Sequence, residues 1–259
     1  SIIKKKIRKS LGWSNANAIV SGAAFLPQEL IEWYAKLGIN ILNGYGMTEN
    51  CCVCSYLDTS TVKGKGSVGK PWDQVEIKIG ENGEILNKSP YLLKEYYKNP
   101  EYTNEVLIDG WFNTGDKGHL DDNGYLHITG RVKDIFKTSK GKYIEPHLIE
   151  EKFEKSNLFQ QLCIVGLGLV QPILLAVPNE QALNDKEKTE ESLKKILLDF
   201  NSTADGYKKV KKIILLSEDW TPENGLTTPT LKIKRAKIDE AFSSKYQNWY
   251  NDTEEVIWE

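Results

Sequence analysis

Long apolar runs, a disulfide-like cysteine spacing and a strong net charge are all missing from this 259-residue chain. No apolar stretch reaches the roughly 20 residues that a membrane-spanning helix needs, and nothing at the start is built like a secretory leader. The longest apolar stretch, 162–178, is interrupted by Gly166, Gly168, Gln171 and Pro172 and reads as two buried strands. Only four cysteines occur, three of them in Cys51-Cys52-Val53-Cys54. That spacing makes no disulfide framework and points to a reducing compartment, the cytoplasm. A zinc site would need a better-spaced fourth ligand, and the nearest histidine in sequence is His119. With 34 basic and 36 acidic side chains the net charge is −2, so no global field favours nucleic acid. The single methionine, Met47, lies well inside the chain, so the sequence is expected to be an excised or processed piece of something longer.

What is present is an ordinary globular composition, 40% hydrophobic and 27% charged, long enough for about two domains. Local basic clusters occur at 4–9, 208–212 and 232–237. Most such runs are solvated faces; phosphate or anionic lipid is the sharper reading, which leaves peripheral membrane contact open.

The residue pattern predicts a basic helix end over 1–11, a strand at 18–20, and a helix opened by Pro27, with Leu30, Ile31, Tyr34 and Leu37 on one face and Gly38 as its stop. A strand over 39–42 follows. Strand, helix and strand with tight joints make a right-handed parallel crossover, so Ser21-Gly22-Ala23-Ala24 and Asn43-Gly44-Tyr45-Gly46-Met47-Thr48-Glu49 emerge at the carboxyl ends of strands, where open α/β sheets bind ligands. From 64 to 130 the pattern becomes antiparallel, with hairpin turns at Asn82-Gly83 and Asn123-Gly124 and a helical excursion over 91–104. Beyond 131–134 come a helix from Pro146, the two buried strands, a helix carrying Leu193, Ile196, Leu197 and Phe200, a strand over 211–216, and a final helix after Lys232. The acidic tail from Asn251 is expected to fray. The fold class is therefore α/β plus α+β: the end of a doubly wound sheet (1–63), a small antiparallel β-barrel or sheet (64–130), and a smaller α+β C-terminal domain (131–259) hinged near 131–134.

Three stretches carry chemistry-bearing residues. In 109–146, Asp116, Arg131 and Lys140-Gly141 sit on loops between short strands; a carboxylate accepts from, and a guanidinium donates to, the vicinal hydroxyls of a ribose. An ordinary charged hairpin is the competing reading. In 43–49 the glycines beside Tyr45 let backbone pass close to a flat ligand and present the ring for stacking, Thr48 offers a hydroxyl to a phosphate, and Glu49 offers a carboxylate to Mg²⁺. A glycine-rich turn with a polar rim is the alternative. In 228–235 Lys232 supplies a compact charge suited to a transferring phosphoryl group, against the plainer reading of a basic helix start.

Together these stretches resemble the adenylate-forming enzymes: acyl-CoA synthetases, luciferases and the adenylation domains of peptide synthetases. The resemblance implies ATP/AMP, Mg²⁺ and CoA as cofactors and cosubstrates, and acid activation followed by thioester formation. It implies that Ser21, Gly22, Ala23, Ala24, Asn43, Gly44, Tyr45, Gly46, Met47, Thr48, Asp116, Ile128 and Arg131 hold the nucleotide, with Glu49 on the metal. It implies a hinge at Lys133, a thiol tunnel lined by Lys140 and Gly141 with Lys137 nearby, and Lys232 as the adenylation lysine; Thr48, Glu49 and Lys232 form the catalytic set. Many members have Gly before that lysine, whereas here it is Leu231, and the Thr-Leu-Lys form is similar to the long-chain fatty-acid branch. Fatty acid and CoA are thus the expected substrates. The family's Ser/Thr/Gly-rich loop ending in Pro-Lys-Gly appears nowhere in these residues, so 1–130 is expected to be the C-terminal part of the larger AMP-binding domain and the chain alone to be inactive. An acyl-AMP ligase, a carrier-loading domain, or a silent nucleotide- or CoA-binding piece are the other readings.

Overall fold

In the computed structural model, which describes residues 2–23, 26, 28–58, 64 and 66–259, the chain divides into two units, Ser1–Val132 and Lys133–Glu259. The first unit starts with helix α1 (Ile2–Ser10), which buries no side chain, and strand β1 (Val20–Ser21). Helix α2 (Gln28–Lys36) buries Ile31 and is stopped at Gly38. There φ is +74° and the amides of Gly38 and Ile39 return to the carbonyls of Ala35 and Tyr34, the double bond of a glycine-ended helix. Pro27, expected to open this helix, and Ala24 lie outside the described residues.

Strand β2 covers Leu42–Tyr45, not 39–42. Ile39 and Ile41 are buried anchors, 1% and 4% exposed, but pairing begins only where β1 supplies a partner, at Val20↔Leu42 and Ser21↔Asn43. The parallel β1–β2 pair continues through antiparallel β3 (Ser55–Asp58) to β4 (Lys70–Pro71). A second, antiparallel sheet holds β5 (Glu76–Ile79), β6 (Glu84–Lys88), β7 (Leu107–Ile108), β8 (Trp111–Leu120) and β9 (Leu126–Arg131), in the order β5-β6-β8-β7 with β9 on β8. It is an open sheet and not the closed barrel allowed for above. Leu126 of β9 exchanges hydrogen bonds of 2.8 Å with Val68 and Gly69, and among the described residues β5 pairs only with β6. The helical excursion is shorter than expected: α3 runs Pro100–Val106, because Asn99 caps it and Pro100 occupies the first turn, while Lys98 sits at φ +54°. Tyr45, Cys54, Val75, Ile85 and Leu126 form the core beneath these sheets.

The second unit opens with the hairpin β10 (Phe136–Lys137) and β11 (Tyr143–Ile144), then α4 (Pro146–Glu154). Strands β12 (Phe159–Val165) and β13 (Ile173–Pro178) pair antiparallel, and helices α5 (Glu180–Asn184) and α6 (Lys186–Thr203) follow. Strand β14 (Ile213–Leu215), helix α7 (Arg235–Asn251) and strand β15 (Val256–Trp258) complete it. β13 is buried along its whole length, which is why it reads as a continuous apolar run. Leu174 and Ala176 face α4 and α6 through Ile149, Phe153, Leu193 and Leu197; Leu175 and Val177 face α7 through Ile238, Tyr246 and Trp249. Each fully buried leucine, isoleucine or phenylalanine among them contributes about 2 kcal/mol.

The tail does not fray. β15 adds to the sheet parallel to β14, and Val256 is buried. Lys212, read above as part of a solvated basic run, is 3% exposed and donates to the carbonyl oxygens of Asp252 and Glu254 at 2.7 and 2.6 Å. Lys245 and Trp249 both hold the side chain of Glu259. Sequence patterning missed this because an acidic segment looks solvated until a buried ammonium claims its carbonyls.

Candidate functional site

The first unit brings several of the residues singled out in the sequence together around the end of β2. Asp116, on β8, lies opposite Arg131 in the ladder with β9, and Arg131 Nε is 3.2 Å from Asp116 Oδ1. Asp116 is buried while the Arg131 side chain is 64% exposed, so the carboxylate is fixed and the guanidinium reaches outward. Just past Asp116 the ladder slips at Lys117/Gly118, and a Cβ on Gly118 would lie 2.3 Å from the His127 carbonyl oxygen. Glycine is therefore required where the strands approach.

Tyr45 is packed rather than presented. It is 8% exposed within the core cluster, and its hydroxyl donates to Asp116 Oδ2 at 2.7 Å. Burial, and then the Asp116 charge, hold the phenol far above its ordinary range, so it remains a donor at any working pH. Where the sequence suggested a ring open for stacking, the structure has a side chain that orients Asp116, and the reason is the apolar floor of Cys54, Val75, Ile85 and Leu126 beneath it.

The glycine-rich segment folds tightly. Asn43 is buried and donates to the Ser67 carbonyl at 3.3 Å. Ser21 pairs with Asn43, and a Cβ on Gly22 would meet the Gly44 carbonyl oxygen at 3.1 Å, so Ser21-Gly22-Ala23 runs beside Asn43-Gly44. After Gly46, Thr48–Asn50 forms a single 3-10 turn. Met47 packs on the core, its amide bonds Asn50 Oδ1 at 2.9 Å, and the Cys52 amide returns to the Met47 carbonyl at 2.8 Å. Cys51 and Cys52 both take the left-handed conformation to make that return. Thr48 is exposed, and Glu49 is half-buried. Glu49 Oε1 accepts from the Tyr96 hydroxyl at 2.8 Å, and its carbonyl accepts from Leu93 at 2.7 Å. Tyr96 was not foreseen; nothing in its spacing singles it out. Ile128, on β9, is partly buried against the same core. Among the described residues no group of three or more His, Cys, Asp or Glu is placed to hold a metal.

In the second unit, Lys133 is exposed in the 3-10 turn Val132–Asp134. Lys140 and Gly141 form the tip of the β10–β11 hairpin, with Gly141 at φ +74° and its amide on the Thr138 carbonyl at 2.9 Å. Lys137 lies over the Tyr143 ring, 5.1 Å from its centre. Lys232 is exposed in a loop closed by the Thr228 amide on its carbonyl (2.8 Å) and by its own amide on Thr228 Oγ1 (3.0 Å). Leu231 has φ +61°, the left-handed region that favours glycine, so the backbone beside Lys232 is held in a conformation unusual for leucine. Arg235 was also missed. The run 232–237 suggested a solvated face, yet Arg235 is turned inward and pairs with Glu150 and Asp134.

Comparison with known proteins bears on the family and the fold. The AMP-binding enzyme family model matches residues 4–97 and the AMP-binding enzyme C-terminal domain model matches residues 133–254. The chain is 30% identical to the long-chain-fatty-acid–CoA ligase FadD15 of Mycobacterium bovis (strain ATCC BAA-935 / AF2122/97), covering 96% of this chain and 44% of that protein. It is 31% identical to the chloroplastic long-chain-fatty-acid–[acyl-carrier-protein] ligase AEE15 of Arabidopsis thaliana, covering 96% and 38%. A crystal structure of the anthranilate CoA ligase AuaEII with anthranoyl-AMP superposes with a TM-score of 0.73 at 24% identity, over 88% of this chain and 45% of that one. The chain thus spans less than half the length of these relatives. No helix among the described residues is long and apolar enough to cross a membrane.

Proposed function

The chain belongs to the AMP-binding enzyme family, and from that membership we propose that it is part of an ATP-dependent fatty-acid–CoA ligase. The parent reaction joins a carboxylate to ATP, giving acyl-adenylate and pyrophosphate, and then transfers the acyl group to the CoA thiol. The observation that carries the reading is the Asp116 carboxylate, buried and gripped by the Tyr45 hydroxyl at 2.7 Å and Arg131 at 3.2 Å. A carboxylate so fixed accepts from both hydroxyls of a ribose with little reorganisation. Arg131, half free, donates to the same diol.

In this reading Ser21-Gly22-Ala23 and Asn43-Gly44 form the wall on the base side, and Thr48 receives a phosphate oxygen. Glu49 is the metal ligand. A single half-buried carboxylate with one oxygen held by Tyr96 suits Mg²⁺, which takes one or two carboxylates and completes its shell with phosphates and water. The ion, when bound, neutralises phosphate charge. Lys232 stabilises charge at the attacking carboxylate and α-phosphate, Lys133 is the hinge, and Lys140-Gly141 meets the thiol. Residues 1–130 serve as the end of the larger AMP-binding domain, and 131–259 as the mobile one. The chain alone turns over no ATP, because no Pro-Lys-Gly phosphate loop occurs in its sequence. The cysteine spacing over 51–54, which frames no disulfide, is what supports a reducing compartment, the cytosol in this reading.

The likeness to an acyl-carrier-protein ligase favours one second reading, in which the thiol belongs to a carrier protein. The test is pyrophosphate release and thioester formation by the full-length enzyme with fatty acid and ATP, offered CoA or carrier protein in turn. Absence of fatty-acid-dependent pyrophosphate release would dismiss both readings.

A further inference from the structure

Arg235 and Glu150 are two covered charges that no step above employs. The Arg235 side chain is 19% exposed and that of Glu150 is 6% exposed. Arg235 Nη2 donates to Glu150 Oε1 and Oε2 at 2.7 and 2.5 Å, while Nη1 donates to the Ile164 carbonyl at 3.0 Å and lies 3.1 Å from Cys163 Sγ. Nε is 3.3 Å from Asp134 Oδ2, and Glu150 Oε1 also accepts from the Ile164 amide at 2.6 Å. One planar group thereby joins α4, β12, the turn Val132–Asp134 and the first residue of α7.

A buried ion pair alone is weak evidence for anything but structure, since its desolvation offsets its attraction. Its place in the chain says more. Arg235 lies three residues after Lys232, and its partner Asp134 follows Lys133 directly. Between Lys232 and Arg235 there is no slack: Thr227 and Ile233 form a bridge, and the Lys234 amide bonds the Leu226 carbonyl at 2.9 Å. The loop also holds Leu231 at a positive φ, a conformation that persists only where its surroundings enforce it.

We propose that Arg235 is a positioning residue that bolts the Lys232 loop and the Lys133 turn to one base, so that the lysine moves with the hinge turn instead of trailing it. This rests on the roles given to Lys232 and Lys133 above. Lysine cannot substitute, because a single ammonium cannot serve a bidentate carboxylate, a carbonyl and a second carboxylate at once.

Arg235→Lys is the test, read in two ways. In this chain, amide exchange at Thr228, Leu231 and Lys232 should speed by about tenfold or more while β12 and β13 stay protected. In the full-length enzyme, kcat for adenylation should fall roughly 10- to 100-fold with KM for ATP and acid within about threefold. Glu150→Gln, which keeps the shape and loses the charge, should give the same local pattern at smaller size and serves if Arg235→Lys folds poorly. Uniform acceleration across the second unit, or no change at the three loop amides, overturns the positioning role, as does an unchanged kcat in an enzyme that Lys232→Ala cripples. If Lys232→Ala leaves adenylation intact, it is the functional reading that fails, and the exchange pattern alone then decides the anchoring.

Discussion

Gly46→Ala is the substitution whose cost can be worked most directly from the structure. A Cβ built on Gly46 lies 2.4 Å from the Cys52 carbonyl carbon, 2.5 Å from its oxygen and 2.7 Å from its Cα. All three are backbone atoms, so no flexible side chain can yield. Relief needs the two backbones to separate by about 1 Å to reach ordinary carbon contact. Two hydrogen bonds hold them together on either side, Cys52 N to Met47 O at 2.8 Å and Cys54 N to Tyr45 O at 3.2 Å. Overpacking of this kind costs about 1–3 kcal/mol, and weakening two hydrogen bonds adds about 1 kcal/mol each when fully lost. The expected loss is about 2–4 kcal/mol, or a fall in Tm of roughly 6–15 °C for a unit of this size. Chemical denaturation followed by circular dichroism measures the total, and amide exchange locates it. Protection should fall at Cys52, Cys54 and Leu126 and hold at Leu174 and Leu175 in the other unit. Stability within about 0.5 kcal/mol of the parent would refute the claim that this close approach shapes the Thr48–Glu49 turn.

In the full-length enzyme Lys232→Ala should lower adenylate formation about 10²–10³-fold and affect transfer from supplied acyl-adenylate much less, whereas Lys234→Ala, exposed and unassigned, should change neither; half-reaction kinetics decide. Native thiol labelling at pH 8 should modify the exposed Cys51 and Cys52 only. Burial pushes the Cys54 thiol up to about 11 and raises Cys163 further, so their reactive thiolates stay scarce until the pH nears those values or the chain unfolds. More than two labels before unfolding would contradict that packing.

Local patterning made much of this legible. Alternating Val75, Ile77 and Ile79, the Asn82-Gly83 turn and the uninterrupted apolar run of β13 each specify an element through nearest neighbours, and each is where it was expected. What escaped depends on partners distant in sequence. β2 begins at Leu42 because Val20 is its partner, and β15 exists because β14 offers an edge and Lys212 claims the carbonyls before it. Asp116 and Arg131 could be singled out as a pair from their chemistry, but the Tyr45 hydroxyl on Asp116 spans 71 residues and has no local trace. Arg235 looked like one more surface cation in a basic run. Only the fold shows that Glu150, 85 residues earlier, draws it inward.

The most direct test of the central claim, a diol-reading carboxylate at Asp116, is calorimetric titration of this chain with AMP and with 2′,3′-dideoxy-AMP. A site built to hydrogen-bond two hydroxyls rejects a ligand that lacks them, since its own polar groups are then left unpaired. AMP should bind at least about tenfold more tightly than the dideoxy nucleotide, a difference of about 1.4 kcal/mol, and Asp116→Ala should abolish the preference. Equal affinity for the two nucleotides, or a preference that survives Asp116→Ala, would contradict the account.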